Sequence, residues 1–274
     1  MSKLYIMTLN WNGCDRLKRL YPTLIKSLNN IDFEWIIKDN NSKDNSIEYI
    51  NSYKNNKISI IKYKDNLQNF SQGMNYIFDV AAPKDNDTVL LLNNDITFGD
   101  TTSIKHMMAL LKDDIGAVGA KLLYTGTKKI QHAGVIFPNH GLPLNYRRGD
   151  QDDATASQDR YFQAVTGAVM LMKAETYKNI SKNKSGIDGL CEELIWCFDD
   201  IDACLSIINN QRKKIIYCGN TSIFHEESAS LKENPVNRLF MDYNVKYFTN
   251  KWKGKYLHDL DKYSYNTKYN LIST

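Results

Sequence analysis

The sequence predicts an α/β protein with a mostly parallel central sheet flanked by helices. The chain has 274 residues, of which 42% are hydrophobic, and this is enough for one large domain or for one domain with an appended subdomain. Short apolar segments alternate with helical patterns as far as residue 95, and polar clusters follow three of these segments. A β-α-β alternation of this kind is typical of a parallel, doubly wound sheet.

The first 95 residues supply the regular part of this alternation. Strands are expected at 4–9, 33–37, 58–61 and 89–92. Helices are expected to end near Leu28, to begin after Asp44 or Asn45, and to span 69–80. The first helix has leucine at positions 17, 20, 24 and 28, which places one apolar face against a core.

The remainder of the chain shows a less regular pattern. Strands are expected at 117–121, 164–172 and 214–217, and a helix at 200–210. The segment 126–159 is rich in Gly, Pro, Asn and Asp, so loops are expected there. The sequence has no internal repeats and no low-complexity blocks.

Polar residues gather where three of the predicted strands end, at 10–13, 39–42 and 93–95. The carboxyl ends of parallel strands share one edge of a sheet, and open α/β sheets bind their ligands there. At 89–95 a buried strand stops at two amides and a carboxylate, Asn93-Asn94-Asp95, which suit a divalent cation that holds a diphosphate. The same residues also suit a simple Asn-Asp turn.

Cysteine content and charge narrow the class of protein. The five cysteines include no CxxC pair, which favours a reducing compartment over a disulfide framework or a zinc site. We expect no signal peptide and no membrane span, and therefore a cytoplasmic protein. Residues 231–274 hold eight Lys or Arg and four acidic residues, which accounts for the whole net charge of +4. A nucleic-acid partner is therefore not expected, because its basic surface would extend over the domain.

The common phosphate-binding motifs are missing from this sequence. It contains no GxxxxGK[ST] and no GxGxxG after the first strand, which argues against a P-loop NTPase and against a dinucleotide-binding enzyme. A nucleotide can instead be bound by Asp39, at the end of the second predicted strand, together with a metal ion on Asp95.

A second chemical centre is predicted at 191–202, where five carboxylates lie within eleven residues among Trp, Phe and Ile. Apolar neighbours raise the pKa of a carboxylate and prepare it for proton transfer. The alternative is an ordinary acidic first turn of a helix. His225 follows another apolar segment, and it is either a structural histidine or a metal ligand near Asp95.

These segments, in this order, resemble those of the family 2 inverting glycosyltransferases of GT-A fold, above all the bacterial enzymes of O-antigen and capsule synthesis, including rhamnosyltransferase-like members. The similarity runs from about Tyr5 to Ser230. The matching stretches are MTLNWNG at 7–13, DNNSKDNS at 39–46, NLQNFSQGMN at 66–75, LNND at 92–95, QHAG at 131–134, TGA at 166–168, FDDID at 198–202 and HEESAS at 225–230.

The resemblance implies a Rossmann-like sheet and a division of the chain into two parts. Residues 1–230 would form the GT-A catalytic domain, with a nucleotide-binding half at 1–95 and an acceptor and catalytic half at 96–230. Residues 231–274 would form a basic, aromatic, helical extension. The implied partners are a nucleotide-sugar donor, either a UDP-sugar or dTDP-rhamnose, and a glycan or lipid-linked acceptor.

The resemblance also assigns roles to particular residues. Asp200 would be the catalytic base, and Asp95 and His225 would hold a Mn²⁺ or Mg²⁺ ion. The acceptor and the transferred sugar would lie near Gly167, Asp199 and Asp202. The donor nucleotide would be held by Thr8, Asn10, Asn12, Asp39, Asn41, Asn66, Gly73, Asn75 and Asn94.

Three residues depart from the family pattern. Asn93 replaces the first acid of the DxD motif, so the metal would have one carboxylate, helped by His225 and the diphosphate. Gln68 stands where glycine is common, and Asp199 replaces a glutamate, which keeps the charge and shortens the side chain. The proposed base and the proposed metal ligands are intact.

Two alternatives to this enzyme remain at the level of sequence. A sugar-nucleotide nucleotidyltransferase would need a glycine-rich basic loop after the first strand, whereas the loop at 10–15 has a single glycine. A degenerate glycan- or nucleotide-binding GT-A module would be expected to have lost Asp95 or Asp200.

The C-terminal extension has an apolar stripe at Val236, Leu239, Phe240, Tyr243 and Tyr247, followed by several lysines and Trp252. A basic and aromatic helix suits peripheral contact with an anionic membrane, here the inner face of the cell membrane. We favour the alternative that the stripe covers the domain core, because amphipathic helices usually do so.

Overall fold

The computed structural model describes residues 2–64, 68–195, 197–226 and 240–263. The strands are β1 (Leu4–Asn10), β2 (Phe33–Asp39), β3 (Ile58–Lys62), β4 (Thr88–Leu92), β5 (Ile96–Phe98), β6 (Ile115–Ala120), β7 (Leu122–Tyr124), β8 (Ile130–His132), β9 (Val135–Ile136), β10 (Leu144–Asn145), β11 (Arg160–Phe162), β12 (Val169–Lys173), β13 (Lys214–Cys218) and β14 (Ile223–His225). The helices are α1 (Cys14–Ser27), α2 (Ser46–Asn51), α3 (Phe70–Ala81), α4 (Ser103–Leu110), α5 (Ala174–Lys178), α6 (Asp199–Gln211) and α7 (Met241–Trp252), followed by a 3₁₀ turn at Leu260–Tyr263.

The main sheet has eight strands in the order β11-β13-β6-β12-β4-β1-β2-β3. Strand β1 pairs in parallel with β2 and β4, β2 pairs in parallel with β3, and β13 pairs in parallel with β6. Strands β11 and β12 are antiparallel to their neighbours. The predicted α/β class with a mostly parallel sheet is therefore confirmed.

Helices cover both faces of this sheet, which explains why β4 is apolar without alternation. Leu90 and Leu92 share a buried cluster with the leucines of α1, whereas Val89 and Leu91 share the opposite cluster with Met74 and other residues. Both faces of β4 are thus inside the protein, and all five of its residues are buried.

A second sheet has four strands in the order β5-β14-β7-β8. Its strand β5 is the next strand along the chain after β4. Strand β5 begins at Ile96, one residue beyond Asp95, and it pairs with β14 so that Ile96 is opposite His225. This pairing brings the predicted metal ligands together, although 130 positions separate them in the sequence.

Two of the regions that the sequence assigned in the second half differ in the structure. The predicted strand at 164–172 begins only at Val169, and residues 166–168 form a loop at the carboxyl end of β4. The segment 126–159 is not composed of loops alone, because it contains β8, β9 and β10. These strands have two or three residues, which is too short for a period-two pattern to be recognised.

Helix α7 packs on the domain, as we favoured, but not through the predicted stripe. Its buried residues are Asn244, Phe248 and Trp252. Tyr243, which the stripe placed against the core, is 43% exposed. The helix begins at Met241, and every fourth residue from Asn244 faces the domain. The way the helix docks, and not the apolar stripe, decides which residues are buried. Val236 and Leu239 lie outside the described residues.

Across the described part of the chain, no helix has the length and apolar character needed to cross a membrane.

Candidate active site

A cleft of about 440 Å³ opens at the carboxyl ends of β1 and β4. Strand β12 runs antiparallel to β4, so the loop that precedes β12 reaches the same edge of the sheet. The first turn of α6 and the end of β14 complete the walls. The cleft is lined by seven of the predicted site residues, namely Asn10, Asn94, Asp95, Gly167, Asp199, Asp200 and His225.

Asp95 and His225 form a pair that suits a divalent cation. The Asp95 Oδ1 atom lies 3.1 Å from His225 Nε2, yet it is buried without a hydrogen-bond partner. His225 Nδ1 lies 2.7 Å from Gln131 Oε1, a hydrogen-bond contact that orients the ring so that Nε2 faces the carboxylate. A metal-binding histidine typically has its other ring nitrogen held in this way.

The pair does not by itself form a complete metal site. Among the residues that the structure describes, no group of three or more His, Cys, Asp or Glu side chains is arranged to hold a metal. Asn93, which occupies the first position of the motif at 93–95, lies with its Nδ2 atom 3.5 Å from His225 Nε2. A metal here would therefore need further oxygen ligands.

Asp199 and Asp200 lie together in the first turn of α6 and line the same cleft. The Gly167 N–H donates to Asp200 Oδ2 at 2.9 Å, and the Ile201 N–H donates to Asp200 Oδ1 at 2.8 Å. A Cβ atom at position 167 would lie 3.1 Å from the Asp200 Cβ, so a larger residue there would require Asp200 to shift by a few tenths of an ångström.

The two carboxyls have raised pKa values for different combinations of causes. Burial, followed by the negative charge of Asp200, raises the pKa of Asp199 to about 8. Burial also raises the pKa of Asp200, but the N–H groups of Gly167 and Ile201 oppose this rise by stabilising its ionised form. The N–H groups of Gly167 and Ile201 therefore favour ionisation of Asp200 over ionisation of Asp199.

Asp39 organises the wall of the cleft without lining it. Its Oδ1 atom accepts from Asn10 Nδ2 at 2.9 Å and from Ser42 Oγ at 2.6 Å, and its Oδ2 atom accepts from the Ser42 N–H at 2.9 Å. Asn94 Nδ2 donates in turn to Asn10 Oδ1 at 3.0 Å. This chain of hydrogen bonds joins the ends of β1, β2 and β4, while Asn40 is the residue after β2 that lines the cleft.

Four of the predicted site residues lie behind the wall of the cleft. Thr8 Oγ1 accepts from Trp35 Nε1 at 3.0 Å, and Gly73 provides room for the Leu9 side chain, since a Cβ there would lie 2.7 Å from Leu9 Cδ2. Asn75 is fully buried and binds the backbone of Leu190 through both amide atoms.

Asp202, the fourth of these residues, is also fully buried. It accepts hydrogen bonds from Lys251 and Trp252 of α7. All four residues thus contact other parts of the protein and do not line the cleft. Their role in the structure is to connect strands and helices that pack against one another.

The remaining predicted donor residues lie beside the cleft or beyond the described residues. Asn12 lines a neighbouring pocket, and its Oδ1 atom accepts from the Lys43 N–H at 2.7 Å. Asn41 Oδ1 accepts from Lys43 Nζ at 2.9 Å. Asn66 lies outside the described residues, so its predicted role stays a prediction.

The cleft also includes residues that were not predicted as site residues. They include Trp11, Arg16, Asn40, Gln68, Asn69, Phe70 and Asn93. A sequence signal existed for Asn69, which caps α3 through a reciprocal capping box with Gln72. Arg16 gave no such signal, because a charged residue on the polar face of an amphipathic helix is usually only solvated.

The match to a known protein family extends over residues 6–173, and the matching family is described as glycosyl transferase family 2. This range is more than half of the chain. The chain belongs to glycosyl transferase family 2. The matched range includes Asp95 and Gly167, whereas Asp199, Asp200 and His225 lie beyond it. For those three residues the support is the geometry of the cleft.

One curated protein is similar to this family 2 chain in sequence. The uncharacterized protein y4gI of Sinorhizobium fredii is 29% identical over 199 residues, which cover 68% of this chain and 20% of y4gI. The chain thus spans about a fifth of the length of that relative.

Two solved structures share the fold. A crystal structure of GalNAc-T7 with UDP, GalNAc and Mn²⁺ has a TM-score of 0.63 at 12% identity, covering 82% of this chain and 44% of that one. Staphylococcus aureus TarS 1–349 in complex with UDP-GlcNAc has a TM-score of 0.54 at 13% identity, covering 82% and 58%. The predicted GT-A fold of this family 2 chain is confirmed.

Proposed function

We propose that this family 2 protein is an inverting, metal-dependent glycosyltransferase. It would move a sugar from a nucleotide-sugar donor to a hydroxyl group of a glycan or lipid-linked acceptor. The observation that carries the proposal is that the Asp95–His225 pair and the Asp199–Asp200 pair line the same cleft. The first pair suits a diphosphate leaving group and the second suits removal of a proton, which are the two requirements of the reaction.

Asp95 and His225 would hold the cation, with further ligands from diphosphate oxygens and water. Their fit is supported by the buried Asp95 Oδ1, which has no hydrogen-bond partner, and by the Gln131 contact, which orients His225 Nε2 toward that oxygen. Bound there, Mn²⁺ or Mg²⁺ would act as a Lewis acid that stabilises the charge of the departing diphosphate. GalNAc-T7, which has the same fold, was crystallised with UDP and Mn²⁺.

Asp200 would be the base that accepts the proton of the acceptor hydroxyl. The hydroxyl oxygen forms a bond to the anomeric carbon as the bond from that carbon to the diphosphate oxygen breaks, and the diphosphate leaves with the electron pair. Attack from the face opposite the leaving group inverts the configuration at the anomeric carbon. A raised pKa makes Asp200 a stronger base than a solvated carboxylate, while its two backbone donors keep it ionised.

The donor and the pathway are narrower proposals. We propose a UDP-sugar or dTDP-rhamnose as donor and bacterial surface polysaccharide, such as O-antigen or capsule, as product. TarS, crystallised with UDP-GlcNAc, shares the fold and supports a UDP-sugar. The polar end of the cleft at Asn10, Asn40 and Asn94 offers amide groups to a nucleoside.

We propose separately that the protein contacts a membrane surface, because a lipid-linked acceptor would be held there. Trp252 of α7 is buried, so this aromatic residue does not reach a membrane. Lys253 and Lys255 are exposed beside it and could meet anionic headgroups. Co-sedimentation with anionic vesicles would fall in a Lys253→Met, Lys255→Met variant, and equal co-sedimentation of both proteins would rule out these lysines.

Thermal stability in the presence of UDP, dTDP, GDP or CMP, each with Mn²⁺ and with EDTA, tests the proposed function. A ligand at 100 times its dissociation constant should add about 2.7 kcal/mol to the free energy of unfolding. We expect one nucleoside diphosphate to stabilise the protein in Mn²⁺ and not in EDTA, and the matching nucleotide-sugar to be consumed with an acceptor. If no nucleotide stabilises the protein, the transferase proposal is wrong and a glycan-binding module becomes the better explanation.

A further inference from the structure

Helix α7 packs against residues 191–202, the segment that leads into the Asp199–Asp200 pair. Asn244 Oδ1 accepts from the Ile195 N–H at 3.2 Å, and the Tyr247 hydroxyl lies 3.5 Å from Cys191 Sγ. Nothing in the proposed chemistry uses these α7 side chains. Their contacts follow the path of the segment from its beginning to the residues just before the cleft.

The residue directly before the carboxylate pair has an unfavourable backbone conformation. Phe198 has a φ of +69°, in the left-handed region that bulky side chains rarely adopt. Its ring stacks on Phe248 of α7, with the ring centroids 4.9 Å apart and the planes inclined by 21°. Because a strained residue persists only when its surroundings hold it, the contact with Phe248 stabilises the turn that places Asp199 at the start of α6.

Asp202 ties the other side of the pair to the same helix. It is fully buried, and its Oδ1 atom accepts from Trp252 Nε1 at 2.8 Å and lies 2.7 Å from Lys251 Nζ. Its Oδ2 atom lies 3.0 Å from the same ammonium. A buried carboxylate without partners is costly, so these contacts make α6 and α7 dependent on each other at this point.

We propose that α7 positions the Asp199–Asp200 pair for proton transfer, with Asp202, Phe248 and Trp252 as positioning residues that do not contact the substrate. This inference rests on the proposed function, and it replaces the predicted role of Asp202 in the acceptor site. Phe198 and Asp202 lie one residue before Asp199 and two residues after Asp200, so both ends of the carboxylate turn are attached to α7. A small shift of α7 would move Asp200 relative to the Gly167 N–H.

Cys197 offers a measurement of this segment that does not depend on activity. Its Sγ atom lies 3.5 Å from Met241 Sδ and 3.7 Å from Asn244 Nδ2 of α7. Burial raises the pKa of the thiol to about 11, so it should react slowly while α7 is docked. The other four cysteines, Cys14, Cys191, Cys204 and Cys218, are buried, whereas Cys197 is partly exposed.

The experiment compares Trp252→Phe with Lys253→Met in the full chain. Trp252→Phe keeps an aromatic ring and removes the N–H group that Asp202 accepts from, while Lys253→Met changes the exposed neighbouring residue. A second variant, Phe248→Leu, weakens the ring stack on Phe198. We expect Trp252→Phe and Phe248→Leu to label several-fold faster at Cys197 with a thiol reagent, and Lys253→Met to label at the wild-type rate. A Cys197→Ser protein identifies the reactive thiol.

Transfer kinetics then separate positioning from general stability. Misplacement of a catalytic group by about 1 Å can cost on the order of 10²-fold in rate, so we expect Trp252→Phe to lower kcat by about 10-fold to 100-fold. Its Kd for the nucleoside diphosphate in Mn²⁺ should equal that of the wild type. In an Asp200→Asn background the same substitution should cause no further loss, because the group it positions has already been removed.

Three outcomes would overturn the positioning role. They are unchanged Cys197 labelling, unchanged kcat despite faster labelling, and an equal loss in the Asp200→Asn background. If the wild-type protein transfers no sugar, the proposed function fails. The labelling rates then still show whether α7 holds the segment, so the two failures are distinguishable.

Discussion

The Asp95–His225 pair and the Asp199–Asp200 pair face the same cleft, but different kinds of contact hold them in place. Asp95 follows the central strand β4, and His225 ends β14, which pairs with the strand that begins directly after Asp95. The Glu226 N–H also donates to the Asp95 carbonyl at 3.2 Å. Asp199 and Asp200 instead begin a helix whose first turn depends on side chains of α7.

This difference means that one pair is positioned by backbone pairing and the other by contacts between side chains. Backbone pairing within a sheet positions the ends of strands whatever their neighbouring side chains are. Side-chain contacts between helices are specific to individual residues, so they can be removed one at a time. We therefore expect substitutions in α7 to affect the carboxylate pair and to leave the metal-binding pair unchanged.

The largest expected effect concerns the base itself. Asp200→Asn should lower kcat for transfer by about 10²- to 10⁴-fold, the usual contribution of a general base. The amide cannot accept the proton, yet it keeps the shape of the side chain, so the Kd of the nucleoside diphosphate should stay at the wild-type value. Steady-state transfer and calorimetric binding on the same preparation check both parts. Normal turnover by this variant would move the base to another residue.

The next effect concerns the Asp95–His225 pair. Asp95→Ala removes the only carboxylate of the pair. Loss of a residue that merely hydrogen-bonds to a metal ligand typically costs roughly 10- to 100-fold in metal affinity. Loss of Asp95 itself should weaken binding of the nucleoside diphosphate in Mn²⁺ by more than that. Binding in EDTA should be equal for the variant and the wild type. If the two proteins respond equally to Mn²⁺, the metal lies elsewhere.

A smaller effect is expected at Gln131, which holds the ring of His225 through Nδ1. Gln131→Leu should weaken Mn²⁺-dependent binding of the nucleoside diphosphate by about 10-fold, because the ring loses the partner that orients it. Gln151→Leu, at an exposed position, is the matched control. Equal affinities in all three proteins would show that Nε2 of His225 does not bind the metal.

The smallest effect separates the two carboxyls by pH. Asp199→Asn removes a carboxyl that ionises beside Asp200 only near pH 8, so the change in kcat that this second negative charge causes as the pH rises through 8 should be absent from the variant. In the wild type, the folded-state pKa of Asp199 is raised to about 8, so the folded protein binds more protons than the unfolded chain above pH 4. Stability should therefore fall as the pH rises toward 8, and less so in Asp199→Asn.

Chemical denaturation of the wild type and of Asp199→Asn at pH 5 and pH 8 measures that difference. A pH profile of kcat recorded on the same proteins measures the change near pH 8. Identical pH dependence in both proteins would mean that Asp199 and Asp200 do not share a proton.

The sequence was sufficient for the parts of the site that depend on local pattern and on sheet direction. The apolar run of β4 and its abrupt end at Asn93-Asn94-Asp95 predicted a ligand at the edge of the sheet, and the cleft lies at that edge. The alternation of the first 95 residues predicted strands β1 to β4 within a few residues of their observed bounds. The short strands β8 to β10 gave no periodic signal, so they were missed.

Side-chain direction is where the sequence was insufficient. Asn75 and Asp202 belong to the family motifs but point into the protein, where their polar atoms bind Leu190 and Trp252. Tyr243 was placed on the covered face of the C-terminal helix and is instead exposed. The partners of Asn75 and Asp202 lie far away in the sequence, so no local pattern could show which way these side chains turn.

By itself, the sequence determined the α/β class, the polar edge of the sheet and the residue types needed for a metal and a base, because hydrophobic periodicity and strand-end chemistry are local properties. Tertiary structure decided which of those residues meet. The pairing of β14 with β5 brought His225 to Asp95, and the docking of α7 attached Asp202 to Trp252. Both contacts join residues that are distant in the chain, and their geometry comes from packing, which a linear pattern does not contain.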